Sequence, residues 1–284
     1  MFNQSLRSRL AAIRGELEEI PSGPLIDNHV AIHFLVRGIR YHNAFALKLQ
    51  KQQEESTDAN RFRALVWRAL NARAIMSNRI PDMGDGEEND FPYCFWHPQV
   101  PSEATLRQLL CRYPSTKVRY QVGRACAVAG HTDLYRELDL LPDVAIAEEA
   151  RDSGEKGRAI FDLIMAQPVR YTVMDDYILT VRQNPVPGTF LNGDTCVCSI
   201  LDTKQSIVSA RSGASKEANP DVRKPILDIA EDWRVDIEGC RFGGRPVDPK
   251  AVELLWRPLP RDLPTLDKDL LILMAAWSRK SRPL

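Results

Sequence analysis

Ala125-Cys126-Ala127-Val128-Ala129-Gly130-His131-Thr132-Asp133-Leu134-Tyr135-Arg136-Glu137-Leu138 is the stretch whose reading decides the fold. Its alanines allow two helices to approach closely, because a methyl side chain keeps the backbones from being held apart. Gly130 supplies the left-handed residue that closes the first helix, and Leu134 with Leu138 then faces a partner helix at four-residue spacing. A looser copy follows, from Ala147 through Ala150 and Gly154 to Ile160, Phe161 and Ile164. The spacing therefore predicts two helix pairs, one after the other, between Arg119 and Gln167.

The first of these units resembles the ankyrin repeat, in which a small-residue inner helix ends in a Gly-His turn and an outer helix with paired aliphatics packs back on it. Two departures limit what the resemblance implies. The glycine turns are 24 residues apart, against a repeat of roughly 33 that includes a β-hairpin finger, and the Thr-Pro-Leu-His signature is missing. What remains is an ankyrin-like stack of helix pairs over Arg119 to Gln167, under a fifth of the chain. The run Arg119 to Asp152 looks like a group of uncharacterised fungal proteins with such degenerate repeats, which implies a cytosolic location and no established reaction. A stack this short forms no long concave surface, so it is expected to act as scaffolding within a larger helical body.

Working outward, Leu6, Leu10, Ile13, Leu17 and Ile20 recur at helical steps until Pro21, Gly23 and Pro24 stop them. Residues 25–53 hold helical spacing through Ile26, Val30, Phe34 and Ile39 to Leu49, which predicts one long helix. Asp58 is a candidate N-cap for a third helix ending near Ser77. Ile80 to Pro101 breaks the pattern with prolines, glycines and acidic residues and leads into Phe91, Tyr93, Phe95 and Trp96. A loop of roughly twenty residues inside a compact domain is functional or disordered as a rule, and its aromatics argue against disorder. Short helices are expected from Ser102 to Gln183. An irregular segment follows, and then a C-terminal helix with Leu266, Leu270, Leu273 and Trp277 on one face. The expected fold is mainly α with an irregular C-terminal third, divided as 1–101, 102–183 and 184–284 within one compact unit.

Composition narrows the function classes. Lys plus Arg and Asp plus Glu number 38 each, so the basic footprint of a nucleic-acid binder is missing and no nucleic-acid partner is expected. The longest apolar run, Leu270 to Trp277, is far short of the roughly 20 residues that span a bilayer, so membrane insertion is not expected. Glu16, Glu18, Glu19 and Asp27 interrupt the N-terminal region, which lacks the apolar core of a signal peptide, and the expected start is near Met1. Six cysteines with one close pair suggest reduced thiols and the cytosol.

Most candidate motifs reduce to ordinary structure. His29 and His33 stand four apart on a helix without the Glu of a zincin or a third ligand. Cys196-x-Cys198 is too tight for the usual zinc knuckle and has no second pair. Asp82 to Asp90 lacks the register of a calcium loop, and Gly239 to Pro246 fits neither a phosphate-binding loop nor a dinucleotide turn. No metal and no cofactor is expected.

Two places retain chemical interest. Tyr93-Cys94-Phe95-Trp96-His97 combines large aromatic surfaces with one group that titrates near neutrality; these aromatics either line a pocket or plug the helical core. Tyr171 to Tyr177, if helical, puts Tyr171 and Asp175 on one face and turns Asp176 away, so the carboxylates form no dyad. The leading expectation is a cofactor-independent enzyme of fungal specialised metabolism, a cyclase or isomerase, with an intramolecular cycloaddition as one example. It would act on an apolar small molecule, with Tyr93, Trp96 and Tyr177 binding the substrate and His97 and Asp175 as the catalytic, polarising groups. The alternative is an ankyrin-like interaction module with a protein partner.

Overall fold

The computed structural model describes residues 8, 11–16, 29–55, 63–84, 91–176, 178–191, 253–254 and 257–264. The fold is mainly helical, with a single two-stranded sheet among the described residues. By contacts the chain divides into two compact units, Met1–Ala125 with Ile226–Val235, and Cys126–Pro225 with Asp236–Leu284. Asp58, the C-terminal helix, Cys196-x-Cys198, Gly239 to Pro246, most of the acidic loop and Tyr177 lie outside the described residues. None of the described helices is long and apolar enough to cross a membrane.

In the first unit, α1 (His29–Tyr41), α2 (Asn43–Glu55) and α3 (Arg63–Met76) pack on one another. Ile32, Leu35, Val36 and Ile39 of α1 recur at three- and four-residue steps, and all are buried against Phe45, Ala46 and Leu49 of α2 and Val66, Ala69 and Leu70 of α3. The single helix expected over 25–53 is two helices that meet at His42. Their junction is covered by residues 11–16: a Cβ on Gly38 would overlap the Ala12 carbonyl, and His42 Nε2 lies 2.9 Å from the carbonyl oxygen of Ile13. Periodicity in α1 and α2 is continuous, so the tertiary contact, which leaves no trace in the local pattern, marks the division.

The α3 helix ends near Ser77 as the sequence predicts. Asn78 takes the left-handed conformation at φ 61°, and Arg79 N donates across the turn to the Ala74 carbonyl, 2.9 Å away. Next come α4 (Glu103–Arg112), capped by the Ser102 side chain, and α5 (Thr116–Ala129), along which the chain passes from the first unit to the second.

The second unit begins at Cys126, in the last turn of α5. Gly130, at φ 82°, closes α5 while His131 N donates back to the Cys126 carbonyl at 3.1 Å, and α6 (Thr132–Glu137) begins at once. Leu134 and Leu138 are buried. Then α7 (Val144–Asp152) and α8 (Arg158–Met165) form a second pair around Gly154 and Gly157. A Cβ on Gly157 would overlap the Ala150 carbonyl, and one on Gly130 would lie 2.8 Å from the Lys156 carbonyl oxygen. Missing side chains thus set how closely α8 meets α7 and how closely the two turns stack.

Helix does not continue to Gln183. After α8 the chain forms a hairpin of β1 (Tyr171–Asp175) and β2 (Thr180–Pro187), paired from Tyr171 with Pro187 to Asp175 with Thr180. Pairing is irregular between Thr172 and Met174, and Pro185 falls in the stretch of β2 that this irregularity spans, where no ladder N–H is required of it. Asp143 anchors the hairpin to the helices. Its fully buried carboxylate caps α7 through Ile146 N at 3.2 Å and accepts from Val173 N at 2.8 Å and Met174 N at 3.4 Å.

The two glycines of the α7–α8 turn make separable predictions. Gly157→Ala forces α7 and α8 apart and should cost about 2–3 kcal/mol. Gly154→Ala, at φ 61° with open space around the new methyl, should cost only about 1 kcal/mol from backbone strain. Urea denaturation of the two variants checks the order, and equal losses would refute the close-packing account.

Candidate functional site

The aromatic loop is drawn closed at its base by Asn78, whose side-chain oxygen accepts from Ser102 N at 2.7 Å and Thr105 Oγ1 at 3.0 Å. Further in, Tyr113 Oη donates to the Pro81 carbonyl at 2.8 Å and accepts from Met83 N at 2.9 Å. Phe91, Tyr93, Cys94, Phe95 and Trp96 are all buried, Trp96 at 1% exposure and Tyr93 at 2%. Their rings meet edge to face: Phe91 on Tyr113 at 5.7 Å, Phe95 on Trp96 at 5.7 Å and Tyr93 on Trp96 at 6.4 Å. Of the two uses the sequence leaves open for these aromatics, the geometry matches the core plug.

A loop taken into a core brings its carbonyls with it, and they need donors. Arg40, fully buried, donates to the Cys94 carbonyl at 3.0 Å and the His97 carbonyl at 2.6 Å. Gln121, equally buried, donates to the carbonyls of Pro92 at 3.2 Å and Tyr93 at 2.7 Å. Arg73 donates to the Arg40 carbonyl at 3.0 Å and to Gln99 Oε1 at 2.5 Å. Its guanidinium pKa is lowered, first by burial and then by repulsion from Arg40 and Arg79. Arg124 lies over the Trp96 ring, 5.3 Å from its centroid. None of these long-range partners carries a sequence motif.

Within Tyr93 to His97, His97 is the residue that is partly exposed. Its Nε2 lies 3.0 Å from Tyr41 Oη, with the rings edge to face at 6.1 Å. Arg37 stacks on the other participant, 4.3 Å from the Tyr41 centroid. Its buried Nη1 has no hydrogen-bond partner among the described residues. This triplet, Arg37, Tyr41 and His97, could orient and polarise a bound group. Sequence reasoning found only His97, although Arg37 and Tyr41 stand four apart on α1 and so share a face.

Asp175 belongs to the second unit. It ends β1, and its carboxylate accepts from Arg182 Nη2 at 2.7 Å and Ile178 N at 3.3 Å, contacts that fasten the hairpin turn. The helical reading of Tyr171 to Tyr177 is thereby corrected: Asp175 sits on a strand, where hairpin pairing sets its neighbours. Tyr93 and Trp96 are brought together, His97 is joined to Tyr41, and Tyr177 lies outside the described residues. His29 and His33 fall on α1. Among the described residues no group of three or more His, Cys, Asp or Glu side chains could hold a metal ion.

At the base of the hairpin a second constellation emerges, one that the sequence did not announce. Arg170 forms a two-pronged ion pair with Asp262, 3.0 and 3.1 Å, and Leu191 N donates to the same carboxylate at 2.8 Å. Leu263 N donates to the Leu191 carbonyl at 2.8 Å, and Arg151 Nη1 donates to the Leu263 carbonyl at 2.8 Å. Arg151 is itself ion-paired to the buried Glu148. The guanidiniums of Arg170 and Arg261 both lie over the Phe190 ring, 5.5 and 5.8 Å from its centroid.

Residues 96–202 match the family model described as the YKP1 C-terminal domain. The match starts inside the aromatic loop and takes in α4 to α8 and the hairpin, less than half of the chain. No curated protein and no solved structure matches the chain.

The donor role of Arg40 predicts a large effect from its removal. Arg40→Met keeps much of the volume but strips two buried carbonyls of charged donors, and should cost about 3–5 kcal/mol. Loss of aromatic near-ultraviolet circular dichroism at a denaturant concentration the parent tolerates would report it. An unchanged midpoint would show that the loop does not depend on these bonds.

Proposed function

We propose that the chain is a protein-interaction module and that its contact surface lies at the base of the hairpin in the second unit. The observation that carries this reading is the placement of large apolar side chains. Val169, Val186 and Phe190 are exposed at 41%, 48% and 38%. Pairing of Thr172 with Val186, together with the Thr189 N bond to the Arg170 carbonyl, draws these segments side by side. Exposed apolar residues scattered singly need no explanation, whereas several gathered at one end of a hairpin favour a partner. Ile178 continues the apolar character at the tip, exposed at 62%. The ankyrin-like helix pairs then serve as a rigid mount for this surface. Residence in the cytosol is part of the proposal, resting on six cysteines with a single close pair.

A second reading keeps the cofactor-independent cyclase or isomerase acting on an apolar small molecule. Tyr93 and Trp96 are less suited to line its site, since they are buried and their loop is fastened by Arg40 and Gln121. The specific feature in its favour is the Arg37, Tyr41 and His97 triplet, where His97 would polarise the substrate and Tyr41 orient it.

A photo-crosslinking amino acid placed at Val186 tests the first reading, with the exposed Arg158 of α8 as the control position. One protein should be captured from Val186 and not from Arg158, and Phe190→Ser should reduce its yield several-fold. Equal capture at both positions would sink the proposal. An apolar small molecule retained by the purified chain in native mass spectrometry would favour the enzyme.

A further inference from the structure

The hairpin base already holds a ligand, which is part of the same chain. Residues 261–263 are read there as a peptide is read by a receptor. The Asp262 carboxylate meets the fork of Arg170 and the N–H of Leu191, while the N–H and carbonyl of Leu263 are matched to Leu191 and Arg151. Side-chain charge and backbone direction are thus both specified, the combination by which grooves recognise extended peptides. Arg261 adds its guanidinium to the Phe190 ring. The ligand strand is Arg257-Pro258-Leu259-Pro260-Arg261-Asp262-Leu263-Pro264. Its three prolines fix φ and bias the preceding residues toward extended backbone, so little conformational freedom is lost on seating it.

The receptor side is built independently of its occupant. Arg151 is held by Glu148, which is only 1% exposed. Leu191 is buried, and Arg170 is tied into the hairpin through its carbonyl bond to Thr189 N. The occupant reaches this seat from 71 residues along the chain, counting from Leu191 to Asp262. Because the occupant belongs to the same chain, its binding is intramolecular, and a free peptide must compete with it for the site.

From these contacts we infer that Arg151, Arg170, Phe190 and Leu191 form a recognition site for a proline-flanked Arg-Asp-Leu peptide. Residues 260–264 are its resident occupant, and a partner protein engages the site by presenting the same pattern in their place. This rests on the interaction-module reading and gives its partner a chemistry: a proline-flanked segment whose aspartate enters the Arg170 fork.

The test uses the full-length protein and a fluorescein-labelled peptide of residues 257–264. In Asp262→Ala the resident segment loses its anchor, and the peptide should bind saturably by fluorescence anisotropy, at least tenfold tighter than to the parent chain. Adding Arg170→Ala, or replacing the peptide's aspartate by alanine, should abolish that gain. A folded Asp262→Ala protein that binds no better than the parent overturns the inference, as does binding indifferent to the peptide's aspartate. Should Asp262→Ala fail to fold, the parent chain with millimolar peptide replaces it. Hydrogen exchange at the Leu263 amide should then accelerate several-fold, and no change would overturn the inference. Failure of crosslinking at Val186 is separate, since that residue is not among the groups touching residues 261–263.

Discussion

A segment that carries its own backbone into a core must find a donor for every carbonyl it buries, and the first unit is organised around that requirement. The described residues of the loop from Ile80 to Pro101 lie in no helix or strand that would satisfy their polar groups. Its carbonyls are met by long side chains from helices distant in sequence: Arg40 from α1 and Gln121 from α5. Arg73 of α3 secures the arrangement by bonding the Arg40 carbonyl and Gln99. Charged donors to neutral acceptors are stronger than amide donors, which compensates in part for burying guanidinium groups. That compensation is incomplete at Arg73, where burial and neighbouring cations push the pKa down. The aromatic rings then pack because the backbone behind them is fixed.

What could be read from the sequence depended on how locally each signal is written. Helix periodicity is local, so the helical class and the α1 to α3 core were legible, as was the pair of glycine turns at Gly130 and Gly154. The hairpin was not, because Tyr171 to Asp175 follows two helix pairs and its apolar run has no clear period. Thr172, Val173, Val181 and the helix-excluding Pro185 and Pro187 held the information that would have corrected it. The break at His42 was invisible for a different reason: a close approach between Gly38 and Ala12 is a property of the packed chain. Among the candidate site residues, His97 was noticed for its chemistry, but Tyr41 is 56 positions away and Arg37 acts only through Tyr41. Arg170 and Asp262 are 92 positions apart, and nothing in either neighbourhood points to the other.

The two units handle charge in contrasting ways. Buried arginines of the first, Arg40 and Arg73, serve as hydrogen-bond donors to neutral oxygen, so they give shape to a loop. Arginines of the second, Arg151 and Arg170, are matched to the carboxylates of Glu148 and Asp262. Buried Asp143 complements them in the opposite sense, a carboxylate that accepts from three backbone N–H groups. Asp143 and Asp262 together hold both ends of the hairpin's base, one toward α7 and one toward residues 257–264. A surface proposed to receive a partner is therefore mounted on ion pairs and capped backbone, with its apolar side chains left outward.

The bond from Leu263 N to the Leu191 carbonyl has a consequence for how this chain can change over generations. It places Leu191 and Leu263 next to each other and so closes a long loop of the chain. Closing a loop costs little more as it lengthens, about 0.6 kcal/mol for each doubling. A change of length between Leu191 and Asp262 therefore costs the clasp little, whereas a substitution at Leu191, Asp262 or Leu263 acts on it directly. Related chains are expected to differ most in length there, and to agree at the clasp.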